Sequence, residues 1–126
     1  MIEELKKGKE LSFYIYSDRS GNSESLKFFK RLKRKRINDF KKLMRLIKKS
    51  SDNSNLLFKN DQKFKNVEGK ICEIKSHQVR IWCIRIQSKM LLLMGGYLKK
   101  DQKIPRQELE KIRNLVKKLE KEGIIK

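Results

Sequence analysis

Apolar residues in this chain follow two different periods, and the change of period outlines its elements. Leu11 to Tyr16 (LSFYIY) is rich in aromatic and branched residues and predicts a first strand, after a charged lead-in over residues 1–10 that is expected to be mobile. Asp18 to Ser23 (DRSGNS) predicts a turn, with Ser23 placed to cap a helix. From Glu24 to Ser50 the spacing becomes helical. Leu26, Phe29 and Leu32 form one stripe; Ile37, Phe40, Leu43, Met44 and Ile47 form another. The two stripes predict two antiparallel helices with a break near residues 34–37, or else one longer helix. Residues 50–63 have the polar composition of a long loop, of a length that is often functional in a compact domain. Phe64 to Val67 is expected to dock back onto the core.

Period two then returns. Ile71 to Lys75 predicts a second strand, Val79 to Gln87 a third and Lys89 to Tyr97 a fourth. The fourth is apolar at every position from Met90 to Met94, the pattern of a central strand covered on both faces. Gly95 and Gly96 then let the backbone bend or approach another group closely. Pro105 suits the first turn of a last helix, whose stripe is Leu109, Ile112, Leu115, Val116 and Leu119, with Gly123 at its end. The expected fold is α+β, in the order β-α-α-β-β-β-α. An antiparallel-rich sheet is packed by a helical hairpin and a C-terminal helix. The whole chain, 1–126, is one domain with its core at about 11–122.

Charge adds a partner to this frame. The chain has 34 Lys and Arg against 15 Asp and Glu, a formal charge of +19. Such an excess points to nucleic acid, whose phosphates release counterions when neutralised. Twelve of these cations lie between Lys27 and Lys49. They are both the solvated outside of a hairpin and a surface able to contact phosphates, with Lys33, Arg34, Lys35 and Arg36 at the break. The basic positions alternate with core-like ones, which disfavours a membrane-surface helix. The longest apolar run, Met90 to Met94, is too short to span a bilayer, and the N-terminus lacks the apolar stretch of a signal peptide. Cys72 and Cys83 fall in strands without metal-binding spacing and read as free thiols of a cytoplasmic protein.

Chemistry is narrowed by what is missing. There is one histidine, His77, and no GxSxG, HExxH, P-loop or GxGxxG. Asp101 alone among the lysines makes no carboxylate pair for a metal, and no cofactor is implied. RNA can still be cut without metal: the 2′-hydroxyl attacks the adjacent phosphorus and the 5′-oxygen leaves. That step needs a base, an acid and donors for the charge on phosphorus. Arginine and lysine supply donors, and a lysine crowded by cations can exchange protons near neutral pH. Arg80, Lys99, Lys100 and Lys103 form such a set. Arg80 shares a strand face with Trp82, Ile84 and Ile86, where a guanidinium requires an anionic partner or an open cleft. A four-residue loop before it places Glu73 opposite; a three-residue loop places Ile74 there. Glu73 is accordingly a salt-bridge partner or a general base. His77 on its turn is a bystander or an RNA contact. Tyr97 could stack on a base or belong to the core, where Trp82 is also expected.

Four segments resemble the RelE/HigB superfamily of bacterial toxins, in its phage-derived, host-inhibition-like branch. They are SFYIYSDRSGNSESLKFF, FKNVEGKICEIK, VRIWCIRI and LLLMGGYLKKDQKIPRQELEKI. The resemblance implies a compact RelE-like fold and a type II toxin that inhibits translation as a ribosome-dependent mRNA endoribonuclease. It also implies contacts to ribosomal RNA and a cognate antitoxin, often a helix-turn-helix protein. The family's strand arginine falls on Arg80 and its lysine pair on Lys99 and Lys100. Lys75 stands where the branch usually has arginine, keeping the charge without the bidentate fork. Tyr97 meets the family's strand-end aromatic. The alternative is a non-catalytic RNA- or ribosome-binding module; a DNA-binding regulator is disfavoured because no helix-turn-helix is evident.

Overall fold

A computed structural model describes residues 1–100 and 104–125. Among these residues the elements are β1 (Ile2–Lys6), β2 (Ser12–Tyr16), α1 (Glu24–Lys35), α2 (Ile37–Asp52), α3 (Asn55–Phe58), β3 (Phe64–Glu68), β4 (Ile71–Ser76), β5 (Val79–Gln87), β6 (Met90–Leu98) and α4 (Arg106–Lys121). The fold is α+β. One mixed six-stranded sheet has the order β1-β2-β6-β5-β4-β3, in which β2 and β6 run parallel and every other pair antiparallel. No helix among the described residues is long and apolar enough to cross a membrane.

The strongest sequence signals become the centre of the sheet. β6 lies between β2 and β5, and its unbroken apolar run feeds two cores at once. Leu91 and Leu93 face a cluster built with Phe28, Phe29 and Leu32 of α1 and Leu43 and Ile47 of α2. Leu92 and Met94 face Trp82, Ile84 and the α4 residues Leu109, Ile112, Val116 and Leu119. Ser23 caps α1 as expected, its Oγ accepting from the Leu26 N–H at 3.2 Å. Arg36 ends α1 and starts α2: its N–H donates to the Leu32 carbonyl at 2.7 Å, and its carbonyl accepts from the Phe40 N–H at 3.0 Å. Gly123, at φ 76°, closes α4, where a Cβ would be strained.

Phe64 and Val67 dock onto the core as expected, while the number of strands and the readings of residues 1–10 and 50–63 differ. Residues 1–10 are not simply a mobile lead-in, because Ile2–Lys6 pairs with β2 as an edge strand. Ile2 packs toward the α4 core and Leu5 toward the hairpin core, a pattern masked by the charges around them. Phe64–Glu68 forms a strand at the opposite edge, so the sheet has two more strands than the expected order. Nor is 50–63 a long open loop. Ser50 and Ser51 remain in α2, turning their hydroxyls back to the Leu46 and Lys48 carbonyls, each at 2.6 Å. α3 follows, anchored by the fully buried Leu57. Phe58 meets Phe64 edge to face at 5.1 Å and is covered by the Arg85 guanidinium at 3.8 Å.

A β-bulge in β6 controls which side chains reach which face. Trp82 pairs with Gly95 but Cys83 pairs with Leu93, leaving Met94 as the extra residue. Before the bulge even-numbered residues face α4; after it, odd-numbered ones do, which moves Tyr97 to the side of Trp82. The same step turns Gly96 toward α1. A Cβ there would stand 2.6 Å from the Phe28 ring and 2.8 Å from the Arg80 carbonyl oxygen. The close approach expected at Gly95–Gly96 is therefore made by the protein's own helix. Gly96→Ala is expected to destabilise the fold by about 1–3 kcal/mol through overpacking. Urea unfolding measures this as a lower midpoint at unchanged slope.

Candidate anion site at the sheet end

The site is built where β4, β5 and β6 end together. Six residues of β4 and the first residues of β5 are joined by a two-residue turn, His77–Gln78, so Ser76 pairs with Val79 and Lys75 with Arg80. Neither longer loop considered from sequence occurs. Glu73 pairs with Trp82 instead of Arg80, and Ile74 pairs with Ile81. The tighter turn is possible because His77 takes a left-handed conformation, φ 57°, which non-glycine residues adopt at a cost. Arg80 is flanked on its other side by Tyr97 of β6. Lys75, Arg80 and Tyr97 therefore form one row across three strands, on the α4 face.

Glu73 stays within reach of Arg80 diagonally. Arg80 Nε lies 3.6 Å from Glu73 Oε1, an ion pair whose side chains are 12% and 3% exposed. That distance exceeds a hydrogen bond, and Nε makes none. The other carboxylate oxygen, Glu73 Oε2, accepts from the Tyr97 hydroxyl at 2.7 Å in a buried contact. Arg80 Nη1 donates to the His77 and Val79 carbonyls of the turn, the latter at 3.0 Å. Nη2 donates to no protein group among the described residues. The guanidinium is thus oriented from three sides, through the Glu73 ion pair and the two turn carbonyls. Tyr97 also stacks against Trp82, with ring centroids 5.2 Å apart. Burial first, then the hydrogen bond to Glu73, raises the Tyr97 phenol well above its ordinary range.

The remaining candidates divide by face and by element. Lys99 continues the pairing, its N–H donating to the Gln78 carbonyl at 2.8 Å. Lys100 instead lines a groove of about 340 Å³ with Arg31, Lys35, Arg36, Tyr97 and Glu108. Arg36 is tied to this end of the sheet, donating to Asp39 Oδ2 at 2.7 Å and to Gln78 Oε1 at 3.2 Å. Arg34 lines a neighbouring depression on α1, and Lys33 lines neither. Lys103 lies outside the described residues. His77 is exposed, and what it contributes to Arg80 is its backbone carbonyl. Tyr97 is not available as an open stacking platform, because it is 9% exposed with its hydroxyl engaged. Sequence reasoning missed Arg31, Glu108 and Gln78. Only the first carried a signal, as one of the hairpin cations.

Chemically, the row can hold an oxyanion: a fixed guanidinium, a lysine beside it and further lysines at the strand exit. Among the described residues no three His, Cys, Asp or Glu side chains gather as a metal site. Cys72 and Cys83 face each other across β4 and β5, and burial raises both thiols above their ordinary range. Compared with known proteins, the chain matches no family model and no curated sequence.

Tyr97→Phe leaves a Glu73 oxygen without its donor, and a loss of about 1–3 kcal/mol in unfolding free energy is expected. The raised phenol also fixes a pH dependence. Folding favours the protonated form, so this contribution is complete below the ordinary tyrosine value near 10 and is lost as pH rises above it. At pH 11, wild type and Tyr97→Phe should develop equal phenolate absorbance. A missing tyrosine's worth of signal in the variant would show that Tyr97 ionises normally.

Proposed function

We propose that the chain is the toxin of a type II toxin–antitoxin system of the RelE/HigB kind, a metal-independent endoribonuclease that cuts mRNA on the ribosome. One observation carries the reading: a largely buried arginine, braced by Glu73 and the turn carbonyls, has one nitrogen, Nη2, without a hydrogen bond among the described residues, on a chain of charge +19. The RelE-like arrangement is supported by a helical hairpin ahead of a β4-β5-β6 meander and a closing helix, with the arginine near the start of β5.

In this mechanism the 2′-hydroxyl oxygen attacks the adjacent phosphorus while its proton passes to a base. Negative charge builds on the non-bridging oxygens, where Arg80 Nη2 and Lys75 donate. The 5′-oxygen leaves with a proton from an acid, giving a 2′,3′-cyclic phosphate and a 5′-hydroxyl. Lys99 and Lys100 are the candidates for proton exchange and for holding the leaving strand. Glu73 positions: both its oxygens face protein partners and it is 2% exposed, so it has no path to a ribose hydroxyl. Its partners in the cell are translated mRNA with ribosomal RNA and a cognate antitoxin, expected as a helix-turn-helix protein, and its compartment is the cytoplasm.

A second reading, a non-catalytic RNA-binding module, is favoured by the fact that Arg80 directs Nε and Nη1 to the protein itself. Primer extension on mRNA after induction separates the two. The toxin reading expects discrete cuts that need ongoing translation and vanish in Arg80→Ala, together with growth arrest, while the variant stays folded. Lys100→Ala should weaken cutting more than Lys33→Ala. A folded Arg80→Ala protein that still arrests growth would remove Arg80 from the mechanism, and equal effects of the two lysines would reduce the site to bulk charge.

A further inference from the structure

Three depressions share lining residues and form one cleft, which starts on the hairpin side of β6 and passes to its α4 side. The groove holding Lys100 and Tyr97 shares Arg31, Gly96 and Glu108 with a second of about 390 Å³ beneath Lys111. That one shares Glu24, Met94, Lys111 and Ile112 with a third of about 240 Å³, which reaches Asp18 and Lys118. The cleft thus runs between α1 and α4 over the β6 backbone, from the sheet end that holds Arg80 to the turn before α1. Its floor includes the Gly95–Gly96 backbone with Trp82, Met94 and Ile112.

The cations along it are spaced. Arg31 is held at the rim over the Phe28 ring, 5.7 Å from the centroid. Lys111 and Lys118 follow on the exposed side of α4. Three carboxylates, Asp18, Glu24 and Glu108, line it between these cations. Asp18 Oδ1 accepts from the Ser20 and Asn22 N–H groups at 2.8 and 2.9 Å, and Glu24 lies 3.8 Å from Lys27. Glu108 remains beside Arg31. A cleft between two helices with cations at intervals along its rim suits a single extended polyanion better than a duplex, whose two backbones would straddle it.

We infer that this cleft is the track for single-stranded RNA beside the cutting site, with Arg31, Lys111 and Lys118 holding the phosphates of nucleotides that flank the scissile one. The inference rests on the ribonuclease reading for the identity of the polyanion. It assigns Arg31, Lys111 and Lys118 to strand length and register, and leaves bond breaking to the row around Arg80.

The test is binding of labelled single-stranded RNAs of about 4 and about 12 nucleotides to Arg80→Ala protein, which keeps the RNA whole. With Lys111→Glu and Lys118→Glu added, the longer strand is expected to fall to the affinity of the shorter one. Its log–log salt slope should drop by about 1.4, from about 0.7 for each phosphate contact removed. The shorter strand should bind as before. The control pair Lys41→Glu and Lys42→Glu makes the same charge change on α2, outside the cleft. Equal loss in the control, or no loss from the cleft pair, would overturn the track. So would poly-glutamate binding the cleft more tightly than RNA, which would make it a groove for an acidic peptide. Binding is read without cleavage, so the two proposals fail separately: a toxic Arg80→Ala protein that still loses long-strand affinity on the cleft pair keeps the track and removes the cutting assignment.

Discussion

The arrangement at the sheet end depends on one buried carboxylate. Glu73 is almost sealed from water, and a lone charge there would be strongly disfavoured. It is tolerated because Tyr97 donates to one oxygen and the Arg80 guanidinium approaches the other. The three residues come from three adjacent strands, so the network also ties β4, β5 and β6 together where their hydrogen-bonded ladder ends. Removing the carboxylate would release Arg80 from its brace and strand the Tyr97 hydroxyl in an apolar core. Keeping it makes the guanidinium a fixed donor, aimed before any anion arrives, which is the condition for strong electrostatic stabilisation.

Two backbone irregularities make the network possible. The left-handed His77 shortens the β4–β5 turn to two residues, which sets Lys75 opposite Arg80 and presents the His77 carbonyl to the guanidinium. The bulge at Met94 moves Tyr97 onto the face of Glu73 and turns Gly96 toward Phe28. Both devices put local strain or a lost ladder bond next to the proposed chemistry, while the sheet on either side remains regular.

The legible parts of the fold were those written in long apolar periods: the hairpin helices, the central strands and α4. Edge strands were harder. In IEELK and FKNVE only two residues each meet a core, so charges and polar residues hide the pattern. The serine-rich end of α2 read as loop because composition does not reveal hydroxyls that bond back to their own helix. At the site, the face of Arg80 and the apolar burial of Trp82 followed from alternation. The partner of Arg80 did not, because a one-residue change in turn length changes every pairing along β4 and β5. Glu73 still reaches Arg80 on the diagonal, a contact that register alone does not display. Tyr97 was placed as a possible stacking platform because the bulge that buries its hydroxyl leaves only a pair of glycines as its trace in the sequence.

The central claim is that a fixed arginine with neighbouring lysines cuts RNA through the ribose hydroxyl, without a metal. The end groups of the fragments test it most directly. Translation reactions programmed with a defined mRNA are supplied with the purified protein, and the cut ends are mapped by their chemistry. The account predicts 5′-hydroxyl ends and 2′,3′-cyclic phosphate or 3′-phosphate ends, absent with Arg80→Ala. Fragments bearing 5′-phosphates, or intact mRNA with translation still blocked, would contradict it.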